Sequence, residues 1–206
     1  MLDRALNDRL QRPLQALARW LAGQGMRADH LTWAGFAVGL LAVPLIASGH
    51  PRWALLAMAL NRLADGLDGT LARLTAPTDR GAFLDITLDF LFYASIPLAF
   101  ALASPAANGL AAAVLLFAFM GTASSFLAFA VLAARRGLTS TAYPRKGFYY
   151  LGGLTEATET LTVFTLMCLV PAWFVPLALG FAALCALTTA TRVVAGWQAF
   201  GPGEGG

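Results

Sequence analysis

Four aspartates carry the chemistry this sequence allows. Asp65 and Asp68 are three residues apart, and Asp85 and Asp89 are four apart, spacings that put side chains on one helix face. Both pairs fall inside long apolar stretches, where a lone carboxylate at a bilayer centre costs roughly 2.5–3.5 kcal/mol on insertion scales. Carboxylate oxygens are hard donors that suit Mg²⁺ or Mn²⁺, and four of them gathered together repel one another unless a cation lies between. The spacing therefore points to a divalent-metal site built inside a membrane.

The elements that must position these side chains are apolar helices. Runs near 31–49, 52–74, 81–103, 109–134, 152–170 and 174–198 separate at Gly, Pro and charged residues. Each is close to the roughly 20 residues that a spanning helix requires. The expected fold is all-α and integral to a membrane, with six transmembrane helices over 31–198 and a disordered tail over 199–206. Asp65 and Asp68 stand near the end of the second span and Asp85 and Asp89 near the start of the third, so antiparallel packing brings all four to one depth.

Composition agrees. The 206 residues are 58% hydrophobic and 12% charged, against about a quarter charged in a soluble domain, which excludes a water-soluble globule. A net charge of +3 is too small for a nucleic-acid binder. Cys168 and Cys185 lie in apolar runs without a CxxC spacing, so neither a disulfide framework nor a thiolate metal site is expected.

Residues 1–30 read as an interfacial amphipathic helix rather than a targeting segment. Leu2, Leu6, Leu10, Leu14, Leu17 and Leu21 recur at helical spacing between Arg4, Asp8, Arg9, Arg12 and Arg19, with Pro13 expected to kink or divide the helix. Arg4, Arg9, Arg12, Arg19, Arg27, Arg80, Arg135, Arg136, Arg145 and Lys146 fall on one side of the six spans and Arg52 on the other. The N-terminus and the carboxylate site should then face the cytoplasm. Gly35 and Gly39 form a small-xxx-small pair that permits close helix approach.

The spacing around the aspartates is Asp65-x2-Asp68-Gly69-x2-Ala72-Arg73, then Gly81-x3-Asp85-x3-Asp89. This resembles the signature of the CDP-alcohol phosphatidyltransferases, with every fixed residue present and one residue fewer than usual between Arg73 and Gly81. The resemblance implies phospholipid biosynthesis: transfer of a phosphatidyl group from CDP-diacylglycerol to a small alcohol acceptor, with release of CMP. It implies two divalent ions held by Asp65, Asp68, Asp85 and Asp89, with Asp89 also accepting the acceptor's proton. It further implies a homodimer, placed in a bacterial inner membrane.

On this reading Gly69 and Ala72 leave room for the nucleotide beside the helix backbone, and Arg73 donates to phosphate oxygens. Thr78 and Gly81 belong to the same donor site, and by resemblance so do Asp29, His30, Leu31 and Thr32 just before the first span. Asp29 and His30 also suit plain helix-end roles, and Arg62 suits either a pair with Asp65 or a phosphate contact. For the acceptor, Glu156 and Glu159 suit a polyol or an amine, while Arg136, Arg145, Lys146 and Arg192 suit a phosphorylated alcohol. Glu156 and Glu159 equally suit helix capping. The same motif allows a CDP-aminoalcohol donor with diacylglycerol as acceptor. A cation transporter or channel would also explain intramembrane aspartates, but not Gly69, Ala72 and Arg73 beside them.

Overall fold

The computed structural model describes residues 2–137 and 155–201. Eight α-helices occur among them, and no strand. They are α1 (Leu2–Gly23), α2 (Ala28–Leu40), α3 (Ala42–Ala47), α4 (Pro51–Thr75), α5 (Asp79–Ala103), α6 (Pro105–Arg135), α7 (Ala157–Leu169) and α8 (Phe174–Ala199). A 3₁₀ turn, Pro171–Trp173, leads into α8.

Four segments are long and apolar enough to cross a membrane: Ala28–Ala47, Asp79–Ala103, Pro105–Arg135 and Pro171–Ala199. At 25 residues, α4 is equally long, but it carries Arg52, Arg62, Asp65, Asp68 and Arg73. The described part of α7 has 13 residues. Large apolar side chains stand outward, with Phe117 82% and Trp197 83% exposed, an arrangement consistent with an integral membrane protein.

Several boundaries differ from the sequence reading for local reasons. The first apolar run is two helices broken at Leu41, where Pro44 has no N–H to offer the Leu40 carbonyl. Pro13 removes one bond from α1 without ending it. α7 starts only at Ala157, behind its cap Glu156, and α8 runs to Ala199 into the stretch expected to be a tail. Residues 202–206, and the stretch 138–154 with Arg145 and Lys146, lie outside the described residues.

Helix pairing is set by small residues and aromatic rings. Gly35 and Gly39 are buried against α4 within the chain: a Cβ on Gly35 would sit 2.5 Å from the Ala64 Cβ, and one on Gly39 2.9 Å from Asn61 Cγ. The close approach foreseen for this pair is thus used by α2 and α4 of the same chain. In a solvent as apolar as the side chains themselves, such contact supplies association through packing rather than through water exclusion. The main core joins α3 to α8, with Phe92, Ile96, Leu115, Phe164 and Met167 fully buried and Phe100 stacked on Phe174 at 4.5 Å. A smaller cluster of Ala18, Leu21, Leu67 and Leu71 fastens α1 to the second half of α4, the half that carries the aspartates.

Candidate active site

The α2–α4 contact determines what α2 presents to the carboxylates. Asn61 on α4 donates its amide to the Gly35 carbonyl at 3.0 Å, an interhelical bond worth roughly 0.5–2 kcal/mol in a membrane. Thr32, one turn earlier on α2, donates its hydroxyl to Asp68 Oδ2 at 2.6 Å. α5 closes the third side. The resulting pocket is lined by Thr32, Gly35, Phe36, Asn61, Arg62, Asp65, Asp68, Asp85, Leu88 and Asp89.

The four aspartates foreseen as ligands meet there but divide three to one. One carboxylate oxygen from each of Asp65, Asp68 and Asp85 lies within 4.8 Å of the others, close enough for a single cation to touch all three. Their burial is graded: Asp68 is buried, Asp65 half-buried and Asp85 exposed toward the opening. This donor set fits Mg²⁺ or Mn²⁺ in both chemistry and spacing. Asp89 lines the same pocket but is bonded to Arg62, whose Nη2 donates to Asp89 Oδ1 at 2.6 Å.

Arg62 does pair with Asp65, as its spacing allowed, at 3.6 Å. It is also held from other directions: Nε and Nη2 donate to Asn61 Oδ1 at 2.9 and 2.7 Å, and Nη1 to Tyr93 Oη at 3.1 Å. The guanidinium carbon lies 5.0 Å from the Phe92 ring centre and 5.3 Å from that of Tyr93. Asn61 and Tyr93 went unnoticed in the sequence. Asn61 could have been found, since it is four residues before Asp65 and therefore on the same face.

The expected donor-binding residues gather at the ends of α2, α4 and α5. Thr78 is the N-cap of α5, its hydroxyl accepting from the Gly81 N–H at 3.0 Å. Asp29, in the first turn of α2, is not a cap; it forms ion pairs with Arg80 and, at 3.5 Å, with Arg27, which ties α2 to the start of α5. Arg73 is exposed and donates to Thr70 Oγ1 at 3.1 Å, and a Cβ on Gly69 would come 3.5 Å from its Nη1. His30 is exposed, Ala72 is half-buried, and Leu31 packs on the α1–α4 cluster instead of lining the pocket.

The expected acceptor residues do not line this pocket among those described. Glu156 and Glu159 form a capping box at the start of α7, in which Glu159 Oε2 accepts from the Glu156 N–H at 3.1 Å. Arg136 closes the end of α8, donating to the Ala199 and Phe200 carbonyls at 3.1 Å each. Arg192 is buried and donates to the Thr122 carbonyl at 3.1 Å, over the Phe126 ring.

Residues 26–197 match the CDP-alcohol phosphatidyltransferase family, a stretch that includes every helix lining the pocket. The chain belongs to this family. Among its relatives, the inner membrane protein YnjF of Escherichia coli is 55% identical over 96% of each chain. Archaetidylinositol phosphate synthase of Pyrococcus horikoshii is 35% identical over 44% of this chain and 49% of its own. The fold is shared with phosphatidylinositol phosphate synthase of Mycobacterium tuberculosis. The structure of that enzyme with CDP-DAG bound matches with TM-score 0.69 at 21% identity, covering 90% of this chain and 94% of the other. Its complex with manganese and citrate matches with TM-score 0.74 at 21% identity, covering 93% and 96%.

Proposed function

We propose that this chain transfers a phosphatidyl group from CDP-diacylglycerol to an alcohol, releasing CMP, at a divalent-metal site facing the cytoplasm. The observation that carries this reading is the set of three carboxylate oxygens within 4.8 Å of one another, beside a fourth aspartate, in a chain of this family. CDP-DAG in one structure of the Mycobacterium tuberculosis enzyme and manganese in another support the donor and the metal class. Six crossings, with α2 and α3 counted as one and α1 lying in the interface, would keep the acyl chains in the bilayer.

Asp65, Asp68 and Asp85 would hold magnesium or manganese, which would supply positive charge to neutralise the diphosphate and the leaving nucleotide. Thr32 orients Asp68, and the exposed guanidinium of Arg73 beside Gly69 receives phosphate oxygens. Asp89 accepts the hydroxyl proton of the incoming alcohol. The alcohol oxygen bonds to the β-phosphorus, the bond from that phosphorus to the bridging oxygen breaks, and the electron pair leaves with CMP.

Purified protein supplied with Mn²⁺ and CDP-diacylglycerol should release CMP and form one new lipid with at least one of a panel of alcohols, both free and phosphorylated. Release of CMP only from CDP-choline or CDP-ethanolamine with diacylglycerol would replace this donor assignment. Metal flux through liposomes without CMP from any donor would replace the enzyme by a transporter.

A further inference from the structure

A second group of side chains, centred on Arg62, lines the same pocket beside the metal ligands. Arg62 sits on α4 with its side chain 18% exposed, and its neighbours hold it from several directions. Asn61 Oδ1 takes two of its N–H groups, Tyr93 Oη a third and Asp89 Oδ1 a fourth, and two aromatic rings flank the guanidinium. Asn61 in turn is anchored to the Gly35 carbonyl, so the arrangement is braced across α2, α4 and α5. A guanidinium is costly in an apolar solvent unless its donors are satisfied, and here four of its N–H groups find acceptors on α4 and α5.

Two consequences follow, and they have opposite signs. The short charge-assisted bond fixes the carboxylate of Asp89 at the edge of the Asp65, Asp68 and Asp85 set instead of within it. At the same time a permanent positive charge lies 3.6 Å from Asp65, where it repels any cation bound by that residue. A residue present only to support metal binding would be misplaced here.

We propose that Arg62 is a positioning residue for Asp89, holding its carboxylate as base at the cost of weaker cation binding by the neighbouring three aspartates. The base role rests on the transferase reading given above; the effect on cation binding does not.

The test measures both on purified protein in detergent. Free Mn²⁺ is followed by its electron paramagnetic resonance spectrum, and kcat and KM for CDP-diacylglycerol by CMP release. Arg62→Gln should tighten Mn²⁺ binding by about 10-fold, since a nearby positive charge is gone. Its kcat should fall by about 100-fold, the lower range for loss of general-base catalysis, with KM for the donor unchanged. Arg62→Lys keeps the charge, so Mn²⁺ binding should stay as in the wild type while kcat partly returns. Tyr93→Phe, which leaves the charge and removes one bond to it, should lower kcat with Mn²⁺ binding unchanged, and it serves if Arg62→Gln does not fold.

Weaker Mn²⁺ binding in Arg62→Gln, equal behaviour of the Gln and Lys variants, or an unchanged kcat in Tyr93→Phe would overturn the inference. If the wild type releases no CMP with any alcohol, the transferase reading fails, and the Mn²⁺ comparison of wild type, Gln and Lys decides the charge effect alone.

Discussion

Thr32 on α2 donates its hydroxyl to Asp68 on α4 at 2.6 Å, a side-chain bond that reaches the three-aspartate set from α2. It depends on α2 and α4 being in contact, which Gly35 and Gly39 permit. Small residues at a helix crossing and the orientation of a metal-binding carboxylate are therefore parts of one arrangement.

Thr32→Val keeps the shape and removes the donor. Partners that orient a ligand typically carry a 10–100-fold share of metal affinity. The Mn²⁺ dissociation constant should rise by roughly 10-fold with the fold retained, as read by titration and by the elution volume in detergent. An unchanged constant would mean that Asp68 is oriented without Thr32.

The three carboxylates repel one another when no cation is present, so metal should stabilise the protein measurably. Mn²⁺ at about 100 times its dissociation constant should add roughly 2.7 kcal/mol, seen as a higher unfolding temperature that EDTA reverses. Asp85→Asn should raise the unfolding temperature without metal and abolish the rise with it. Equal response to Mn²⁺ in wild type and variant would remove Asp85 from the ligand set.

Gly35→Val places a branched side chain where a Cβ alone would lie 2.5 Å from Ala64. Overpacking of this kind costs about 1–3 kcal/mol, and it should also part Thr32 from Asp68. Gly180→Val is the matched control, since nothing lies within 4 Å of a Cβ there. Thermal unfolding of the two variants should differ by several degrees, with the loss confined to Gly35→Val.

Much of this site was legible in the sequence, because Asp65, Asp68, Asp85 and Asp89 are conspicuous in apolar helices and their spacing sets a shared face. Which face meets which helix was not. Beyond these aspartates, the apolar residues of α2, α5 and α6 gather on no single face, so periodicity does not fix which of them meets which neighbour. The bonds from Arg62 to Asp89 and Tyr93, across 27 and 31 residues, depend on such a meeting. The same limit hid the inward use of Gly35 and Gly39, and the turn of Leu31 toward Leu67 and Leu71. Capping was easier to foresee at Glu156 and Glu159, where the partner is only three residues away.

Glu159→Ala separates capping from acceptor recognition. Loss of the bond to the Glu156 N–H should cost about 1 kcal/mol of stability while KM for the acceptor stays at its wild-type value. A change in acceptor preference, measured over the same panel of alcohols, would give this residue a share in recognition.

The most direct measurement is CMP release by Asp89→Asn beside the wild type, with Mn²⁺, CDP-diacylglycerol and the alcohol that the wild type accepts. Wild type should yield one CMP per lipid formed. The variant should still bind donor and Mn²⁺ but lose about 100-fold or more in kcat, as expected when a general base is removed. Turnover by Asp89→Asn at the wild-type rate would contradict the account.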